Sequence, residues 1–343
     1  MRKGPNLSKD ILITTSEVSH RVIIPLYIPN EADYYKESYQ IFEYCLFSVL
    51  KTSVTPLKIS VISNNSCDSV NEKLFDLHKQ GYIDELIIEK EAIGKINSIL
   101  KALRTAEERL ITITDADVLF CNGWEEEVVA VFEAFPNAGA VCPVPVFRKH
   151  FHLTSIIWLK YLFSKKLYFR DVKNVPALTK FANSIGWPWL DEKWSDTIGT
   201  LEASNGKIAV LGCSHFVATY KREVFLNLPK TNSKYKLGGS SEFLYTDEPV
   251  LKMGGYRLAT YDNFAYHMGN TLESWMVDYY TALQPVDNKV TNNYSHFKIL
   301  KNNKLTYLFS AYLFKKLLYF KFIKVYLLKS KGLTETQIKN FTS

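Results

Sequence analysis

Five short runs of β-branched and apolar residues, separated by four longer amphipathic repeats, fill most of the first 145 residues. This alternation constrains the fold more than any other feature. Residues 21–27, 57–63, 86–89, 110–114 and 138–143 read as strands. Between them, residues 36–51, 70–80, 96–105 and 123–135 carry apolar side chains at helical spacing, as at Ile41, Cys45 and Val49. Gly81 stops the second repeat and Asn122 offers a cap to the fourth. Strands that are apolar throughout, separated by helices, predict an α/β fold. Its sheet is open, doubly wound and Rossmann-like, and ligands bind at the strands' carboxyl ends.

The chain has 343 residues, enough for one large domain with insertions or two ordinary ones. With 47% hydrophobic and 14% aromatic residues, it is neither disordered nor collagen-like. Five widely spaced cysteines without a C-x-x-C indicate reduced thiols rather than a disulfide framework or a zinc knuckle. The first twenty residues lack the uninterrupted apolar stretch of a secretory signal, and no run is long enough to span a bilayer.

The net charge of +7 is confined to one place. Residues 301–331 hold eight lysines and no acid, whereas residues 1–300 carry 33 basic against 34 acidic side chains. That distribution argues against a nucleic-acid partner. The segment is also rich in Leu, Phe and Tyr. It predicts a helix, broken near Lys315-Lys316, that lies on a membrane surface; packing on the body or on a second copy in a homodimer is the alternative.

Periodicity fades after Pro145. Residues 147–205 read as an insertion beside the site, in which Trp187, Trp189 and Trp194 offer flat faces to an acceptor or simply pack. Residues 208–220 read as one strand, with a short helix after it. Residues 241–253 read as a helix ending at Gly254-Gly255, and 256–261 and 264–267 as strands. The resulting division is 1–147, 148–300 and a tail, 301–343.

Asp115-Ala116-Asp117 closes the fourth strand. In extended chain both carboxylates point to one side, and two hard oxygens at a strand's carboxyl end suit Mg2+ or Mn2+ bridging to substrate phosphates. Lys95, behind Gly94, is placed either to approach a phosphate at a helix start or to remain solvated. His215, among apolar neighbours, reads as a structural histidine.

Taken together, the Val22-Ile23-Ile24-Pro25 strand, the Ser63-Asn64-Asn65-Ser66-Cys67-Asp68 turn and the Asp115-x-Asp117 strand end resemble family 2 glycosyltransferases of the GT-A fold. The resemblance continues in Gly212–Phe225, in Tyr245-Thr246-Asp247-Glu248 leading to Gly255-Tyr256, and in Tyr266-His267. It implies a mixed sheet, an acceptor-side half, and inverting transfer from a nucleotide-diphosphate sugar, a UDP-sugar by family analogy. The acceptor it implies is a glycan, lipid-linked, in cell-surface polysaccharide synthesis on the cytoplasmic face of the membrane. By the same resemblance Asp247 is the general base, with Glu248 in reserve. Asp115, Asp117 and His267 hold Mn2+ or Mg2+, and Pro25, Asn64, Asn65, Asp68, Lys95 and Asp115 contact the donor. The family's acids after the second strand are replaced here by Asn64 and Asn65. A sugar nucleotidyltransferase shares such a sheet, but no Gly-rich loop follows the first strand; an inactive glycan- or membrane-binding protein is the remaining alternative.

Overall fold

The computed structural model describes Gly4 and residues 8–12, 17–147, 149–187 and 195–342. Trp189 and Trp194 lie outside the described residues. β1 (His20–Leu26), β2 (Leu57–Asn64), β3 (Glu85–Glu89) and β4 (Leu110–Thr114) pair in parallel around β1. The crossovers between them are α1 (Ser38–Thr52), α2 (Asp68–Lys79) and α3 (Lys95–Leu103). β1 and β4 are buried throughout except at Pro25, which is why their sequences read as unbroken apolar runs. β5 (Val118–Phe120), α4 (Trp124–Ala134) and β6 (Ala138–Cys142) complete this half.

The second half enters the same sheet. It contributes β7 (Leu167–Asp171), β8 (Thr197–Glu202), β9 (Ile208–Leu211), β10 (Val217–Lys221) and β11 (Tyr256–Thr260). The strand order is β3-β2-β1-β4-β10-β6-β11-β9-β8-β7, with β10 antiparallel between β4 and β6. β12 (Ala265–His267) pairs separately with β5. The sheet is therefore mixed, and one apolar core runs through it.

Two expectations need correction. Residues 208–220 form two strands, because Gly212 at φ +100° turns the chain out of β9 and β10 rejoins elsewhere. Residues 147–205 do not merely flank the site. With α5 (Ser155–Lys160) and α6 (Val175–Ser184) they supply β7 and β8, which extend the sheet at its far edge. β7 has one wet face, Leu167 and Phe169 buried and Tyr168 exposed, and five alternating residues give a weak signal.

The tail forms helices Lys304–Tyr319, Lys321–Ser330 and Glu335–Thr342. The break falls at Phe320, whose backbone is extended, and not at Lys315-Lys316; two exposed lysines are good helix formers and nothing interrupts them. One face packs on the body, Phe314 meeting Phe151 and Trp158 at ring distances of 5.9 and 5.8 Å. Lys331 is buried and donates to the carbonyls of Tyr161 and Ser164. Among the described residues no helix is long and apolar enough to cross a membrane.

Candidate active site

The carboxyl ends of β1, β2 and β4 open on a cleft of about 470 Å³. Pro25, Asn64, Lys95, Asp115 and Asp117 all line it, so five residues picked from sequence meet in one place. Asn65, at φ +66° in the turn, and Asp68, exposed at the start of α2, do not line it. Asn64 is committed on one side: its Oδ1 accepts from the backbone N–H of Ile93 at 2.8 Å and of Gly94 at 3.2 Å. These bonds shape the loop into α3, where Gly94 at φ +91° leaves no room for a Cβ against the Lys236 backbone. Sequence reading missed the aromatic side of the cleft, Tyr27, Tyr34 and Tyr35, whose rings meet edge to face. It also missed Lys236, which closes over it.

Lys95 Nζ lies 2.5 Å from Asp115 Oδ1 and 3.3 Å from Glu242 Oε1. Burial pulls its pKa down, but the two carboxylates outweigh burial and the net shift is upward. Asp117 behaves differently. Its Oδ1 is buried without a hydrogen-bond partner, and His267 Nε2 stands 3.4 Å from Oδ2. Burial raises its pKa to about 6 against the opposing pull of His267, with Asp115 adding to the rise. Ser184 Oγ, 3.0 Å from His267 Nδ1, steadies the ring from the other side.

Among the described residues no cluster of three or more ligating side chains forms. A hard dication bound through one or two carboxylates and substrate phosphates does not need one. A cleft-lining carboxylate with one oxygen unpartnered and a histidine beside the other fits such an ion.

Asp247 ends a π-helical turn, Phe243–Asp247, and leads into the helix Glu248–Lys252. It is only 1% exposed. Arg257, equally buried, brings Nη2 within 2.6 Å of Oδ1, and His215 Nε2 lies 2.6 Å from Oδ2. The arginine contact is charge against charge rather than an aligned hydrogen bond; Asp247 Oδ1 and Arg257 Nε and Nη1 have no hydrogen-bond partner. Glu248 is engaged by Lys252 at 2.7 Å on its own helix. His215 does not lie in an apolar strand. It sits in the 212–216 loop that the single-strand reading erased, 30% exposed, with Nδ1 3.9 Å from Glu242 Oε2. The signal that marks it is the glycine at Gly212. Asp247 and Glu248 lie outside the lining of the cleft, but a run of side chains leads from Asp247 to it, through His215, Glu242, Lys95 and Asp115, with 3.9 Å between His215 and Glu242 as its longest step.

The mixed sheet, with β10 threaded between β4 and β6, thus presents a strand-end carboxylate pair to a cleft of nucleotide size. Residues 22–228, more than half of the chain, match the family model Glycosyl transferase family 2. The chain belongs to that family and is an enzyme transferring sugar from a nucleotide sugar. Similar solved structures include the mannosyltransferase PcManGT from Pyrobaculum calidifontis in complex with GDP-Man and Mn2+, at 18% identity. That match covers 93% of this chain and 74% of that one, with a TM-score of 0.40. TarS from S. aureus, residues 1–349, is 14% identical over 73% of this chain and 60% of its own, with a TM-score of 0.37. No curated protein matches the chain.

Proposed function

We propose that this glycosyltransferase inverts the anomeric carbon and depends on Mn2+ or Mg2+. Its acceptor is a hydroxyl of a lipid-linked glycan, in cell-surface polysaccharide synthesis on the cytoplasmic face of the membrane. The observation that carries the chemistry is the run of charged and polar side chains from Asp115 in the cleft to the buried Asp247, with no step longer than 3.9 Å. Asn64 and the tyrosines of the cleft receive the nucleotide, and Lys95 and Lys236 meet its diphosphate. Asp117 would hold the cation together with the donor's phosphates, with His267 and Asp115 beside it, and the bound cation would supply positive charge to offset that building on the departing diphosphate. The basic group comes from the Asp247 cluster rather than from Glu248, which Lys252 already occupies.

The tail supports the membrane part. Leu305, Leu308, Phe309, Tyr312 and Tyr319 are exposed along the Lys304–Tyr319 helix, on the side away from buried Tyr307, Ser310 and Phe314. Phe322 and Tyr326 continue the exposed apolar surface among lysines, as a helix lying in an anionic interface requires.

The reading is tested by screening nucleotide sugars for metal-dependent release of nucleoside diphosphate and for protection against melting. Asp117→Ala and Asp247→Asn should each abolish turnover of the donor so found. Full activity in both variants would overturn it.

A further inference from the structure

We infer that the groove between the 149–155 loop and the Lys304–Tyr319 helix takes the hydrocarbon chain of the acceptor, and that Lys149 and His152 meet the phosphate joining that chain to its sugar. The inference deepens the reading above and rests on it. It gives the lipid-linked acceptor a place, with Asp247 still the base.

The groove holds about 440 Å³. Its walls are Phe151 and Leu153 from the loop and Tyr307, Ala311, Phe314 and Leu318 from the helix. The four helical positions recur at helical spacing and form one apolar stripe. Facing stripes in a protein interior close on one another at crystal density. These leave apolar space of the size that small-molecule ligands occupy. Leu153 adds a second sign. Its backbone lies at φ +58°, a left-handed conformation that leucine rarely adopts. Thr154 Oγ1 and Trp158 Nε1 both donate to the His150 carbonyl at 2.6 Å and hold the turn there. Strain held in this way clusters at ligand sites.

The two ends of the groove differ, and together they select the ligand. At one end Tyr319 both lines it and is 84% exposed, on the helix that also exposes Tyr312 and Leu308. The groove thus opens on the apolar surface assigned above to the membrane, with Lys315 in its lining. At the other end Tyr307 approaches the catalytic turn: burial raises its pKa, and the charges of Glu248 and Asp247 add to the rise. The loop leads to the same place. Lys149 packs on Gly212, where a Cβ would fall 2.6 Å from Lys149 Cβ, and Gly212 N donates to the Arg257 carbonyl at 3.0 Å.

Positive charge is in surplus at that inner end. Asp247 is already taken by Arg257 and His215, at 2.6 Å each. No acid pairs with Lys149 among the described residues. Partial burial lowers its pKa, Arg257 adding to the fall and Asp247 opposing it. Partial cover, and then the charges of Lys149 and Arg257, push the His152 imidazole down to about 4. An anion seated between Lys149 and His152 relieves both. One path therefore carries a base, an unpaired lysine and an apolar groove that reaches the outer surface. A lipid-linked acceptor presents a hydroxyl, a phosphate and a hydrocarbon chain in that order. A lipid-free glycan leaves the groove empty, and a neutral lipid leaves Lys149 unpaired.

The experiment is titration calorimetry of the full chain with farnesyl diphosphate, and with farnesol and inorganic pyrophosphate as its two halves. Farnesyl diphosphate should bind saturably and about tenfold or more tighter than either half. Lys149→Gln, which keeps the Cβ packed on Gly212, should weaken it by about tenfold. Ala311→Phe, which fills the groove, should bring it down to the affinity of pyrophosphate. Melting temperatures show whether each variant is folded; if one is not, the other decides, and the wild-type comparison stands by itself. Equal affinity of the wild type for farnesyl diphosphate and pyrophosphate, or unchanged affinity in a folded Ala311→Phe, would overturn the inference. Turnover of nucleotide sugars by the wild type, followed alongside, separates the two levels. Metal-dependent turnover without preferential binding of farnesyl diphosphate removes the groove alone. Preferential binding lost in both variants, with no nucleotide sugar turned over, keeps the lipid site and removes the reading above.

Discussion

Arg257→Met isolates the buried pair on which the site is built. Arg257 and Asp247 are each 1% exposed, and Nη2 stands 2.6 Å from Oδ1. At an effective dielectric of about 20, two unit charges at that distance attract by about 6 kcal/mol. Desolvation of the two ions offsets most of this, so the pair itself adds little net stability. Removing one partner is another matter, because it leaves the other charge buried and uncompensated. The expected loss is about 3–5 kcal/mol. With an unfolding entropy of about 2.1 cal/mol/K per residue, a chain of this length loses about 4–7 °C in Tm. Differential scanning calorimetry of four proteins measures it: wild type, Arg257→Met, Asp247→Leu and the double variant. Each single change should lower Tm by that amount, and the double variant, with apolar groups in place of both ions, should regain most of it. A shift below about 1 °C in Arg257→Met, on the same entropy scale, would refute the reasoning. Losses that simply add in the double variant would refute it equally.

Two more outcomes follow from the site and the tail. Asp117, lifted from 3.8 to about 6 chiefly by burial, gives up its proton at unusual cost. In the cation-free protein the stability contributed by its protonated form is lost as pH rises through that range, and a bound cation takes the proton's place. Mn2+ affinity by titration calorimetry should therefore fall about tenfold per pH unit below 6, and equal affinity at pH 5 and pH 7 would rule this out. On the membrane side, the paired change Phe309→Ser and Tyr312→Ser should reduce pelleting with phosphatidylglycerol-containing vesicles and leave Tm unchanged. Undiminished pelleting would count against docking through this face. Point changes are the right probe, since cutting at residue 301 would uncover a core that includes Leu328 and Leu333.

Much of the donor half was legible because burial there is simple. β1 and β4 are buried on both faces, so their apolar runs announce them, and two carboxylates at the end of such a run have no place in a core. Asp117 could be picked from position, Lys95 only as one of two readings, and Asn64 through the family resemblance. Glu125 shows where that logic stops. In sequence it is one of three acids opening α4, where negative charge suits a helix start. In the structure it is fully buried, paired with His20 at 2.7 Å, and accepts from the backbone N–H groups of Val54 and Thr55 and from the Thr55 hydroxyl. Burial raises its pKa, but His20 and Thr55 more than offset this and the net shift is downward. No periodicity distinguishes it from Glu126 and Glu127, because its partners are 70 and more residues away.

The +7 charge divides along the same line. Its confinement to 301–331 is a property of the sequence, and so are the α/β alternation, the strand-end aspartates and the family pattern, all of which are local. Which lysines face solvent, and that Lys331 is spent on the carbonyls of Tyr161 and Ser164, is a tertiary matter. So is the site's basic end. Asp247, His215, Glu242 and Arg257 are spread over the turn, loop and strand between residues 215 and 257, and only the threading of β10 and β11 into the sheet brings them together. A residue type at a given spacing establishes which chemistry is available. Which oxygen is covered, and which partner covers it, depends on neighbours that only the folded chain supplies.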